Sequence, residues 1–277
     1  MFFYRIAIEW LFWVLSVAVL SRRLAAGIIA GGFKAAKSRK ALKKKPKHVC
    51  LVVDFDRLHF LQCIGMTSVS PGSSDLHPLL LSIVDAIQYL ISLEITHITL
   101  YDQQGHLKNS SGLLIRMIAD SMLRRFDADT RHSPVSLPYV RLMSHHKVLW
   151  EPTGWQSYAN KSKRDFTVYL SDASDGKDAI ASIARELCRS AYNPNRDSFM
   201  ELIEERLADE FPIYSNPDLV YIIGGGLQMT LNDLSPWSIR LSEFYHIPCV
   251  KWNGCLDLRD IDKGILKYAN CEQRFGK

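Results

Sequence analysis

At 277 residues and 47% hydrophobic, the chain is long enough to bury one large core or two small ones. Its formal charge of +5 is uneven: residues 1–47 hold eleven Lys or Arg against the single acid Glu9, which leaves −5 for the rest. A basic balance confined to one segment is no signature of nucleic-acid binding, and six cysteines without a C-x-x-C pair argue for free, mostly buried thiols rather than zinc or disulfides.

The basic segment begins MFFYRIAIEWLFWVLSVAVLSRR. As a helix, its first twenty residues would span about 30 Å, the thickness of a bilayer core. Arg5 can snorkel to one interface, and Tyr4, Trp10 and Trp13 suit interfacial positions. A cleaved signal peptide is the rival reading. Arg22-Arg23 and the run KAAKSRKALKKKPK form a stop-transfer flank and favour an uncleaved transmembrane anchor over residues 1–23. Residues 24–47 then read as a basic juxtamembrane linker, which places the following domain on the cytosolic side. Leu24–Phe33 is apolar enough to lie on the membrane, and the lysines either touch anionic lipid or are simply solvated.

From His48 the chain alternates. HVCLVVDF is a strand-length apolar run, followed by the loop SVSPGSSDLHP and an amphipathic helix over Leu79–Leu93. ITHITLYD is a second strand and Gly112–Phe126 a helix. SLPYVRLM is a short strand in an otherwise irregular stretch, 127–165, and DFTVYLSD is a clearer one. Lys177–Ser190 and Phe199–Phe211 read as helices, and DLVYIIGGG as a strand. Pro236–Tyr245 reads as a helix with proline in its first turn, and IPCVKW as a strand. Leu258–Tyr268 is the last helix, with Ile265, Leu266, Tyr268 and Ala269 as its buried stripe. This alternation predicts an α/β fold over 48–277, a mostly parallel sheet flanked by helices, preceded by the N-terminal transmembrane helix.

Ligands of such sheets bind beyond the carboxyl ends of the strands. Asp54-Phe55-Asp56 follows the first strand, where two carboxylates two residues apart suit a magnesium ion or are two acids in a loop. The pair is similar to that of haloacid dehalogenase phosphatases, but Leu58 stands where their threonine belongs. Gly224–Gly226 suits a phosphate cradle or a plain glycine turn, with no G-x-G-x-x-G opening a helix behind it. His145-His146 has no neighbouring ligand to complete a metal set. At the other end, Arg274-Phe275-Gly276-Lys277 is either a solvated end or a short tail held at its root by the last helix.

The order of elements from His48 resembles the cis-prenyltransferases, which join isopentenyl diphosphate to an allylic diphosphate. ITLYDQQGHLK, SDASDGKDAI, PDLV, PWSIRLSEF and YANCEQRFGK are more similar to the accessory subunits of the eukaryotic dehydrodolichyl diphosphate synthase. Catalytic subunits carry Asp-Gly-Asn after the first strand, its aspartate holding Mg²⁺ against the allylic diphosphate. Here Asp54 remains, but Phe55 and Asp56 replace the other two, and Phe55 fills space that glycine leaves for a diphosphate. Catalytic subunits also carry Arg-Thr-Ser-Gly-Glu-x-Arg where this chain, from Ile222 to Thr230, has no arginine and no acid. A diphosphate there would lack its guanidinium clamps.

The resemblance thus implies a non-catalytic subunit whose tail completes the active site of a catalytic cis-prenyltransferase partner. Arg274-x-Gly276 matches the family's Arg-x-Gly motif. The arginine offers two parallel N–H bonds to isopentenyl diphosphate, and the glycine lets a backbone N–H approach. Phe275 packs on the partner or is solvated. Trp237 and Arg240 match the dimer-interface signature, with a core anchor as the other reading of Trp237. Mg²⁺ is expected mainly in the partner, Asp54 and Asp56 being weak candidates here. The implied setting is the endoplasmic reticulum membrane, in dolichol synthesis for protein glycosylation, with no nucleic acid. A membrane-anchored receptor or lipid-trafficking adaptor, using the domain as a binding surface, is the alternative.

Overall fold

The computed structural model describes residues 44–55, 76–129, 138–144, 147–152, 165–189, 196–210, 216–224, 229–248 and 256–272. The expected anchor, most of the linker, Asp56, His145-His146, Gly225, Gly226 and the tail Arg274-Phe275-Gly276 lie outside them. Among the described residues, no helix is long and apolar enough to cross a membrane.

In chain order the described elements are β1 (His48–Val53), α1 (Leu76–Ser92), β2 (His97–Tyr101), α2 (His106–Asn109), α3 (Ser111–Asp129), β3 (Tyr139–Ser144) and β4 (Lys147–Trp150). They continue with β5 (Asp165–Ser171), a 3₁₀ turn at Ala173–Asp175, α4 (Lys177–Arg189), α5 (Arg196–Glu210), β6 (Leu219–Ile223), β7 (Glu243–Ile247) and α6 (Leu258–Asn270). The seven strands form one sheet in the order β4-β3-β5-β2-β1-β6-β7, parallel except for the β3–β4 pair. Every residue of β1 and of β6 is buried, as a central strand covered on both faces requires.

Pairing fixes the two faces. Cys50 registers with Val220 and Val52 with Ile222, and this face packs against Leu231, Leu234, Ile239 and Phe244. Leu51 registers with Tyr221 on the opposite face, where the Tyr221 hydroxyl donates to Ile261 O of α6 at 2.5 Å. Gly264 makes that approach possible: a Cβ there would lie 2.6 Å from Tyr221 Cζ. Tyr89 of α1 donates to Asp262 Oδ1 at 2.8 Å, and Gln88 bonds Ser121, which joins α1 to α6 and to α3.

Four expectations need correction. Pro236–Tyr245 is not a helix: residues 236–241 are turns, and β7 takes up Glu243–Ile247. The edge of β6 offers a full parallel ladder, Leu219↔Glu243 through Ile223↔Ile247, and EFYHI is rich in residues that favour strands. Pairing along that edge overrides the local helix signal. The strand expected at IPCVKW therefore ends at its first residue, Ile247, within the described part. In α6 the buried stripe is Ile261, Gly264, Ile265 and Tyr268, whereas Leu266 is 44% exposed and Ala269 half-buried. Finally, β4 lies in the stretch expected to be irregular. Of the three described cysteines, Cys50 is buried, Cys271 half-buried and Cys188 exposed.

Candidate functional site

The carboxyl ends of β1 and β2 open into a small cleft lined by Val53, Asp54, Phe55, Asp102, Gln103, Gln104, His106 and Asn232. Asp54 is buried at the end of β1, where its N–H donates to Ile223 O at 3.1 Å. The Phe55 ring stands edge-on to His106, centroids 5.5 Å apart, so its side chain occupies room at the mouth of the cleft.

Asp102 explains the turn that follows β2. It is 1% exposed, and its two oxygens accept the N–H groups of His106 and Leu107, both at 2.8 Å. Those are orphan donors at the start of α2, so the carboxylate acts as a cap. Burial pushes its pKa up, and the two N–H bonds pull back the other way. Gly105 sits at φ 73° in this turn, and a Cβ there would press on Asp172 Oδ2 at 3.1 Å.

The neighbouring strand end is tied into the same place. Asp172 accepts from Ser174 N at 2.9 Å, while its own N–H donates to Asp175 Oδ2 at 3.1 Å, a reciprocal cap on the 3₁₀ turn. Lys108 bridges both carboxylates, 3.0 Å from Asp172 and 2.8 Å from Asp175. Burial opposes ionisation of Asp172, but the bonds from Ser174 and Lys108 win and hold its pKa below the usual range. Asp233 receives Gln103 Nε2 at 2.7 Å and Lys177 Nζ at 2.8 Å. The Tyr101 hydroxyl donates to Asn232 O at 2.6 Å. A Cβ on Gly176 would collide with the Asp233 carbonyl. Thus YDQQGHLK, SDASDGKD and the Asn232-Asp233 turn form one hydrogen-bonded scaffold, whose side chains are spent on each other. Sequence reasoning picked out these strand ends but missed Lys108 and Asp233, whose partners lie 64 and 56 residues or more away.

No family model matches the chain. It is 24% identical over 240 residues to "Dehydrodolichyl diphosphate synthase complex subunit nus1" of Schizosaccharomyces pombe, covering 86% of this chain and 79% of that one. The chain is similar to subunits of this complex. Subunits of the same name from Saccharomyces cerevisiae and Homo sapiens are also 24% identical, over 85% and 86% of this chain and 60% and 69% of their own lengths. An isoprenyl transferase of Streptococcus pyogenes serotype M1 is 24% identical over 89% of this chain and 99% of its own. The fold is that of lavandulyl diphosphate synthase from Lavandula x intermedia: TM-score 0.52, 17% identity, 84% of this chain and 99% of that one covered. The expected cis-prenyltransferase architecture is therefore the observed one.

The described side of the cleft carries more acid than base. Its described lining carries two carboxylates and one imidazole, but no lysine or arginine. Both Asp102 oxygens hold backbone N–H groups, and no cluster of three or more His, Cys, Asp or Glu converges among the described residues, of which Asp54 is one and Asp56 is not. Of the remaining candidates, Gly224 lies at the end of β6 at φ 95°, where its N–H donates to Ile247 O of β7 at 2.9 Å, while Gly225 and Gly226 lie outside the described residues. Trp237 is half-buried against the cluster of Ile183, Leu187, Ile203 and Leu207 that joins α4 to α5, and Arg240 is exposed. The helix expected to present those two residues is a run of turns.

Proposed function

We propose that the chain is the non-catalytic, membrane-anchoring subunit of a heteromeric dehydrodolichyl diphosphate synthase. Its tail lends Arg274 and Gly276 to the catalytic partner's site for condensing isopentenyl diphosphate onto farnesyl diphosphate. The observation that carries the reading is the chain's own cleft. Three negative charges on a diphosphate need cations and N–H donors. The described lining offers Asp54, Asp102, a phenyl ring, one imidazole and the neutral amides of Gln103, Gln104 and Asn232, but no lysine or arginine, and the stretch from Ile222 to Thr230 contains no arginine.

The place from which the tail departs also supports a role in trans. Cys271 bonds Glu243, the first residue of β7, at the amino end of the sheet. Asp54 sits at the opposite end, about 20 Å away along β1 at roughly 3.3 Å per residue. Arg274 is two residues past Glu272 and Gly276 four, within about 7 and 14 Å of it even when fully extended. So short a stretch of chain covers less than that distance, which favours a site on a partner packed at this end.

The Mg²⁺ of the reaction belongs to the partner, where it would help neutralise the diphosphate that departs. The basic flank and apolar start would hold the complex at the endoplasmic reticulum membrane, where a very long hydrocarbon product is destined. The test is reconstitution. Purified alone, the chain should transfer no isopentenyl units to farnesyl diphosphate with Mg²⁺. Co-purified with a catalytic cis-prenyltransferase subunit, it should raise that subunit's activity. Turnover by the verified single chain would refute the non-catalytic assignment, and a partner indifferent to its presence would refute the subunit assignment.

A further inference from the structure

The amino-terminal pole of the sheet holds contacts that prenyl transfer does not explain. The end of the basic linker arrives there and is fastened residue by residue. The N–H groups of Lys47 and His48 both donate to Asp218 Oδ2, at 2.6 and 3.0 Å. Lys47 O accepts from His97 N at 3.1 Å and from Thr96 Oγ1 at 3.3 Å. Lys45 pairs with Glu94 at 3.8 Å, and Lys44 Nζ stands 4.5 Å above the ring of Tyr268 in α6.

The end of α6 is fastened to the same pole from the other side. Cys271 Sγ donates to Glu243 Oε1 at 3.2 Å, and Lys267 Nζ to Phe244 O at 3.4 Å. Glu243 N in turn donates to Asp218 O at 2.9 Å, and Ser242 Oγ to Pro217 O at 2.5 Å. Asp218 is the common member: its side chain holds the linker, and its carbonyl holds the strand to which the end of α6 is bonded. Tyr268, 3% exposed, closes the circuit under Lys44. Acids and bases are mixed here, with Glu94, Asp218 and Glu243 beside Lys44, Lys45 and Lys267, so the pole is a clasp rather than a charged landing surface.

We infer that Asp218 and Tyr268 clasp the end of the basic linker to the root of the carboxyl-terminal tail, so that linker and tail leave the domain from one fixed place. Arg274 is only three residues from Cys271, and a lever that short is aimed by its root. Holding the root in place before the complex forms removes ordering that would otherwise fall on binding or reaction. Asp218 is thus a positioning residue. Its consequence for catalysis rests on the proposed role of the tail; the clasp itself rests on the contacts above.

The test uses the full chain in detergent, and then its complex with the catalytic partner. Hydrogen exchange is followed in peptides spanning 44–50 and 266–277. Asp218→Ala should speed exchange in both, by about tenfold at the amides of Lys47 and His48 and by several-fold in the α6 peptide. Asp218→Asn keeps an acceptor for the two N–H groups and should restore most of both. Lys45→Ala, which loosens only an exposed pair, should leave 266–277 unchanged. In the complex, Asp218→Ala should lower kcat/KM for isopentenyl diphosphate several-fold, and that loss should vanish when Arg274→Ala is already present. Faster exchange confined to 44–50, or a loss that adds fully to Arg274→Ala, would overturn the clasp. Should Asp218→Ala not fold, Lys44→Gln asks the same question from the α6 side: both peptides responding supports the clasp, one alone refutes it. Full activity of the Arg274→Ala complex would sink the proposed function, and the exchange experiment would still decide the clasp.

Discussion

Replacing Gly264 by alanine puts a methyl group where α6 touches the central sheet. The new Cβ would lie 2.5 Å from Tyr221 Oη and 2.6 Å from Cζ, where ordinary contact begins at 3.4 Å. Tyr221 cannot easily retreat: it is fully buried, its hydroxyl is bonded to Ile261 O, and its ring packs edge-on to Tyr245 at 5.7 Å. Alanine gains about 1 kcal/mol of helix propensity over glycine. Overpacking costs about 1–3 kcal/mol, and a strained buried hydrogen bond about 1 kcal/mol more. The balance is a loss of about 1–3 kcal/mol, or a Tm lower by about 2–10 °C for a domain of this size. Thermal unfolding followed by circular dichroism measures it, and Gly264→Ala with Tyr221→Leu should recover part of the loss. An unchanged or higher Tm for Gly264→Ala alone would refute the account of how α6 is seated.

Lys108→Met should cost about 2–4 kcal/mol in urea unfolding, because it leaves the Asp172 and Asp175 carboxylates facing each other without their shared cation; an unchanged midpoint would contradict that. The folded pKa values of Asp172 and Asp233 are lowered, so their contribution is present above the ordinary carboxylate pKa and lost as pH falls through the folded values. Asp233→Asn should therefore flatten the fall in urea midpoint between pH 5 and 3, read against wild type. Asp102 has the opposite sign: its raised pKa makes its ionisation a cost, relieved as pH falls through the folded value, so removing its titration with Asp102→Asn should steepen the same limb. Protease added to intact microsomes should digest residues 48–277, and full protection would reverse the proposed topology.

The sequence made the central sheet legible because β1, β2, β5 and β6 are near-continuous apolar runs bounded by polar turns, a pattern set by burial on both faces. β7 was not legible. EFYHI becomes a strand because Leu219–Ile223 offers it a ladder, and no local feature reveals that edge. Short β4 is held by antiparallel pairing to β3 and by Tyr139 Oη donating to Glu151 at 2.7 Å, again partners beyond the segment itself. At the site, Asp54 and Phe55 could be placed at the end of β1 from the strand run alone. The commitment of Asp102 to two N–H groups, and of Lys108 to two carboxylates, depends on the crossing of three chain segments. Leu266 was misassigned because its spacing suits the apolar stripe, while the close seat of Gly264 on Tyr221 turns the helix so that this leucine faces solvent.

The central claim is that the tail of this chain works in another chain's active site, and Arg274→Ala in the assembled complex addresses it most directly. The substitution should leave folding and co-purification with the catalytic partner intact, because it lies beyond the last packed helix. Losing a charge-assisted bond to a diphosphate in a partly dry site costs about 2–4 kcal/mol, on the order of a hundredfold in rate. The account predicts that loss in kcat/KM for isopentenyl diphosphate, only partial recovery with Arg274→Lys because an ammonium cannot reproduce the guanidinium fork, and a smaller defect from Gly276→Ala. A complex carrying Arg274→Ala with wild-type kinetics at sub-saturating isopentenyl diphosphate would contradict it and leave the tail a solvated end.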